Sequence, residues 1–111
     1  MFAQILTFTL KSDGWARALG TLGPADAQMS SIPGLRSWVS AANTDSGEGV
    51  AVVVFEDMNA LEASKDEMDH ILSGFMEALD SPPSVKLAQV LGLFEDDWKD
   101  DVARQSKTTD P

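Results

Sequence analysis

The sequence predicts an α+β domain built on one four-stranded antiparallel sheet with two helices on a single face. Three observations predict it. Four extended runs and two runs of helical period follow one another in the order βαββαβ. The middle two extended runs are joined by a Gly-rich polar stretch, as in a hairpin. The run 50–55, Val-Ala-Val-Val-Val-Phe, is apolar on both faces, whereas a strand with one wet face alternates apolar and polar. Both sides of the sheet therefore need a cover. The helices of one short chain can cover one side, and the other side calls for a partner.

The first strand is expected over residues 2–10, ending at Lys11-Ser12-Asp13-Gly14. Phe2, Leu6, Phe8 and Leu10 fall on one side, and Ala3, Ile5, Thr7 and Thr9 on the other. From residue 13 to 32 the period lengthens. Trp15, Ala18, Leu19, Leu22, Ala25, Met29 and Ile32 recur every three or four residues, as on an amphipathic helix, with Ser12 or Asp13 to cap it. Pro24 removes an amide donor and crowds the carbonyl four residues back. With Gly20 and Gly23 it predicts a bent helix, or two short ones meeting near Gly23. Pro33-Gly34 closes the element.

The hairpin strands are expected at 35–43 and 50–56, around a turn at 44–49. A second helix is expected over 59–79, where Asn59 and Glu62 match a capping box. Its apolar stripe is Leu61, Met68, Ile71, Leu72, Phe75 and Leu79, and Ser81-Pro82-Pro83 stops it. The last strand is expected at 85–94. Beyond it the acid-rich segment 96–111 reads as a tail, partly helical or disordered, so the domain proper is 1–95.

Composition narrows the function. The 111 residues suit a single domain. Eighteen acids against eight bases leave a net charge of −10, which repels phosphate backbones and anionic lipid, so neither nucleic acid nor a membrane surface is an expected partner. The absence of cysteine excludes disulfides, thiolate metal sites and cysteine nucleophiles. No apolar run approaches the roughly 18 residues of a membrane span, and the N-terminus reads as a strand rather than a signal peptide. A cytoplasmic location is the expectation.

A βαββαβ chain of this length gives the ferredoxin-like arrangement. Within it, the short first strand, Pro33-Gly34-Leu35 before the second strand, and Val53-Val54-Phe55-Glu56-Asp57 leading to Ala60, Leu61 and Ala63 carry a more specific likeness. On these residues the chain resembles the dimeric α/β-barrel superfamily, in particular its antibiotic-biosynthesis-monooxygenase-like (ABM) group. The resemblance covers 1–95. It implies a homodimer whose two open sheet faces close a barrel, which would supply the second cover that residues 50–55 require. It also implies a range of activities: cofactor-free monooxygenases of polycyclic phenols, haem-degrading enzymes, isomerases or decarboxylases of quinone-like substrates, and members without activity. Fold does not choose among them.

The residues offer few chemical groups. His70, the only histidine, lies about 150° from the centre of its helix's apolar stripe and reads as a solvated imidazole; a general base or haem ligand is the competing role. The haem-degrading trio implied by the resemblance cannot be carried over, because no tryptophan lies between Phe55 and Leu79. Tyrosine, common around the pockets of phenol-oxidising relatives, is absent. Arg36 and Trp38, two apart on one strand, would share a face and can stack on a planar oxygen-bearing ligand; the competing reading packs Trp38 in the core or dimer seam and gives Arg36 a surface ion pair. Trp15 reads as the core anchor of the first helix. Gln4 and Gln89 interrupt apolar strands as pocket-lining or sheet-edge groups. Asp96, Asp97, Asp100 and Asp101 lack the spacing of a calcium loop. The substrate-binding candidates are thus Arg36, Trp38, Gln4 and Gln89, with no metal and no cofactor expected. Two functions stay open: a cofactor-independent monooxygenase or related small enzyme for an apolar aromatic or quinol-type substrate, and a non-catalytic, stress-associated or ligand-binding homodimer.

Overall fold

The structure, a computed structural model, describes residues 1–93. The last strand, expected over 85–94, ends at Gln89; residue 94, the boundary at residue 95 and the acidic tail lie outside the described residues. Strand β1 (Phe2–Thr9) leads through a turn to helix α1 (Gly14–Ser30), and the hairpin of β2 (Leu35–Ala42) and β3 (Glu48–Phe55) follows. Helices α2 (Met58–Ala63) and α3 (Lys65–Ser73), a 3-10 turn (Met76–Ala78) and strand β4 (Ser84–Gln89) complete the order. The sheet is wholly antiparallel in the order β2-β3-β1-β4. This is the predicted βαββαβ ferredoxin-like architecture.

Two glycines at positive φ make the connections. Gly34 (φ 80°) turns the chain from α1 into β2, and Gly47 (φ 76°) closes the hairpin, a region that costs residues with a Cβ. The hairpin tip is held by Asn43, whose side-chain oxygen accepts the amides of Asp45 and Ser46 at 2.8 and 3.0 Å.

Of the two forms expected for the first helix, two short helices are excluded, whereas the second helix is more divided than expected. α1 is one uninterrupted helix through Gly20, Gly23 and Pro24. Gly20, whose carbonyl Pro24 leaves without a donor, and Pro24 itself are both exposed, so water can replace the lost bond. Asp13 stands at its N-cap without a side-chain cap bond. The second helix is divided at Ser64 and again at Gly74. Ser64 is buried and its hydroxyl donates to the Leu61 carbonyl at 3.0 Å, which competes with helical bonding. Its N-cap is Asp57 rather than Asn59: the Asp57 carboxylate accepts the Ala60 amide at 2.8 Å.

Register assigns the two sheet faces. Phe2, Gln4, Leu6 and Phe8 of β1 pair with Phe55, Val53, Ala51 and Gly49 of β3, and this set faces the helices. The main core joins Leu6, Val53 and Phe55 to Ala25, Met29, Ile32, Leu61 and Ile71. Phe55 is fully buried. A smaller cluster of Leu10, Ala78 and Leu79 gathers Phe8, Trp15, Ala18 and Ala42 at the other end, where Leu10 and Leu79 form a short antiparallel bridge. On the opposite face Ile5, Val39, Val50 and Val52 form an apolar strip; Val39 is 61% and Val50 38% exposed.

Candidate functional site

Between the helices and the sheet lies a cavity of about 470 Å³, lined by members of both apolar clusters. Its origin is legible in side-chain size along the hairpin. On the helix-facing side, Ser40 pairs with Ala51, and Ala42 with Gly49, so the floor beside Leu6 and Phe8 has little bulk. Phe8 lies against Gly49, where a Cβ would meet its ring at 2.5 Å. One row along, Trp38, Val53 and Gln4 are cross-strand neighbours. Strand spacing sets Trp38 and Gln4 roughly 10 Å apart, enough for an aromatic ring between them. Leu22, Ala25 and Met29 of α1, with Met68, Ile71, Leu72 and Phe75 of the second helical region, roof the space.

Polar groups are few. Gln4, Trp38 and Trp15 bring an amide and two indoles, Ser40 a hydroxyl, and Asp69 a carboxylate. The volume and apolar walls with sparse polar groups suit a small-molecule site. Leu19, Ser40, Asp69 and Val85 line the cavity and are themselves exposed, so it communicates with solvent. A shallower depression beside it is lined by Leu22, Gly23, Asp26, Trp38, Val39 and Ser40, which makes Trp38 part of the wall between the two.

Of the four candidates, the structure brings Gln4 and Trp38 together in one cavity. Arg36 and Gln89 do not line it. The pairing shifts between Leu35 and Ser37, a bulge at Arg36 that interrupts the alternation on which a shared face with Trp38 depended. Gln89 sits at the end of β4 opposite Phe2 and is exposed. His70 is exposed and outside the cavity. Three lining residues escaped the sequence argument: Ser40, Asp69 and, as more than a core anchor, Trp15. The Trp15 indole nitrogen is buried without a hydrogen-bond partner, an arrangement that ordinarily costs about 1–3 kcal/mol. Among the described residues no cluster of three or more His, Cys, Asp or Glu side chains is placed to hold a metal ion, and no helix is long and apolar enough to cross a membrane.

No family model matches the chain, and no curated protein matches it. Solved structures do. The protein Rv0793 from Mycobacterium tuberculosis superposes with a TM-score of 0.68 at 20% identity, over 85% of this chain and 98% of that one. A monooxygenase from the gene ActVA-Orf6 of Streptomyces coelicolor, in complex with the ligand nanaomycin D, gives 0.66 at 17% identity over 85% and 90%. A mutant of SnoaB, a cofactor-independent oxygenase from Streptomyces nogalater, gives 0.67 at 12% identity over 86% and 97%. The chain has the ABM-like fold. At these identities the ABM likeness is one of architecture, and the chemistry must be argued from the cavity.

Proposed function

We propose that this ABM-like chain is a homodimeric small-molecule protein whose cavity binds an apolar aromatic or quinol-type compound and promotes its cofactor-free oxygenation. The cavity between sheet and helices carries this reading, with Gln4 and Trp38 as the ligand-orienting residues. The similarity in fold to a cofactor-independent oxygenase and to a monooxygenase in complex with nanaomycin D supports it. The chemistry needs no bound electron donor: a naphthoquinol and O₂ yield a hydroxynaphthoquinone and water. The quinol supplies all four electrons, one oxygen atom enters the ring C–H bond, and the other leaves as water. The protein's part is to hold the ring out of water with its oxygens oriented. Dimerisation through the open face would cover Val39 and Val50.

A second reading, a ligand-binding dimer without catalysis, is favoured by one observation. Among its described lining residues the cavity has no histidine, tyrosine, lysine or arginine, and its one ionisable side chain, Asp69, is an acid that cannot steady a developing anion. Native mass spectrometry and an oxygen electrode separate the readings. The expected result is a dimer whose oxygen uptake with 1,4-naphthoquinol exceeds enzyme-free autoxidation and falls several-fold in Gln4→Leu and Trp38→Phe. A dimer that binds the ring without extra uptake selects the non-catalytic reading, and a monomer at micromolar concentration overturns the dimer.

A further inference from the structure

We propose that the cavity selects its ligand by charge, with Asp69 as the specificity-determining side chain: an uncharged or cationic ring is accepted, and the same ring bearing a carboxylate is rejected. The inference rests on the reading of the cavity as a ligand site and adds the class of ligand it takes.

Asp69 is the one ionisable side chain among the described lining residues. It stands on α3 beside Met68 and one turn from Leu72, both of which also line the cavity. It has no ion pair and no side-chain hydrogen bond among the described residues; Lys65, one turn earlier on the same helix, is exposed and forms no ion pair with it. The remaining polar side chains of Gln4, Ser40 and Trp38 can serve a neutral oxygen but bring no positive charge.

An anionic ligand therefore meets two penalties. Its carboxylate must leave water for apolar walls without a cation to receive it. It must also approach Asp69, in the field of a chain whose net charge is −10. A quinol, uncharged at neutral pH, meets neither. An ammonium substituent placed toward Asp69 turns the second penalty into an attraction. Because Asp69 is exposed, salt screens its contribution, which is largest at low ionic strength.

The test uses three probes with one ring: 2-naphthol, 2-naphthoate and 2-naphthylmethylammonium, titrated calorimetrically into the full chain at pH 7 and low salt. The expected order is ammonium tightest, naphthol next, and naphthoate about tenfold or more weaker than naphthol. Asp69→Asn should narrow the gap between the two charged probes, and Asp69→Lys should reverse their order; the exposed position makes both variants tolerable for folding. Naphthoate binding as tightly as naphthol to the unaltered chain would overturn the proposal. So would an ammonium-to-naphthoate ratio that both variants leave unchanged. Failure of 2-naphthol itself to bind would instead bring down the ligand-site reading beneath it.

Discussion

The two ends of the cavity are built on opposite terms. At one end Phe55, Val53, Met29, Ile32 and Leu61 fill a large apolar cluster. The helix arriving there is capped by Asp57. At the other end three buried residues, Leu10, Ala78 and Leu79, support half-buried Phe8 and Trp15. There α1 starts without a side-chain cap bond, and an indole N–H is buried without a partner. Stability is concentrated at the first end, and the room for a ligand lies toward the second, over the small residues of the hairpin. A closed core and an open pocket are incompatible demands on the same side chains. This chain separates them along the length of one sheet.

The largest test of that division is to truncate one ring at each end. Phe55→Ala removes a fully buried ring and should cost about 3–5 kcal/mol, a large share of the stability of so small a domain. Phe8→Ala should cost about half as much or less, because Phe8 is half-buried and already borders empty space. Urea denaturation of the two variants measures both. Equal losses would break the comparison, for they would mean that the pocket end carries as much of the fold as the closed end.

How much of this was legible in the sequence depends on whether each feature is local. The four strands and the α1 stripe were legible because period and apolar content are properties of neighbouring residues. Gln4 stood out as a pocket-lining or sheet-edge group because it interrupts an apolar strand, and Trp38 because an indole can stack on a planar ligand; that both line one cavity follows only from how β2, β3 and β1 pair. Arg36 was misplaced because a bulge is a property of two paired strands, and one strand's alternation cannot reveal it. Pro24 reads as a break in any helix; its exposure, which makes it harmless, follows only from packing. Ser64 reads as an ordinary helical serine until its hydroxyl is seen to bond Leu61. The small residues Ser40, Ala42, Gly49 and Ala51 were a usable signal for the cavity floor, since they share one face across a predictable hairpin. Asp69 carried no such signal: on a helix rich in acids it looks like its neighbours until the cavity is drawn beside it.

Two glycines of α1 sharpen the contrast with effects of opposite sign. A Cβ on Gly14 would lie 2.5 Å from the backbone oxygen of Ala78. A backbone atom cannot step aside as a flexible side chain can, so Gly14→Ala should destabilise by about 1–3 kcal/mol. The loss falls at the contact that ties α1 to the 3-10 turn. A Cβ on Gly20 would meet nothing within 4 Å. There Gly20→Ala should stabilise by about 0.5–1 kcal/mol through helix propensity alone. Thermal unfolding of the pair reads the difference. A destabilising Gly20→Ala would mean that the middle of α1 depends on glycine for a reason other than space.

The smallest effect concerns the two helix starts. Asp57→Ala removes the oxygen that accepts the Ala60 amide at 2.8 Å and should cost about 1 kcal/mol. Asp13→Ala removes no such bond and should stay within about 0.5 kcal/mol, the range of ordinary surface changes. Hydrogen exchange adds where the loss is felt: Asp57→Ala should speed exchange at the first turn of α2, beside the closed core, and leave α1 unchanged. If Asp13→Ala proved the costlier substitution, the pocket end would owe its order to the start of α1. The division between a stabilising end and an accommodating end would then have to be drawn the other way.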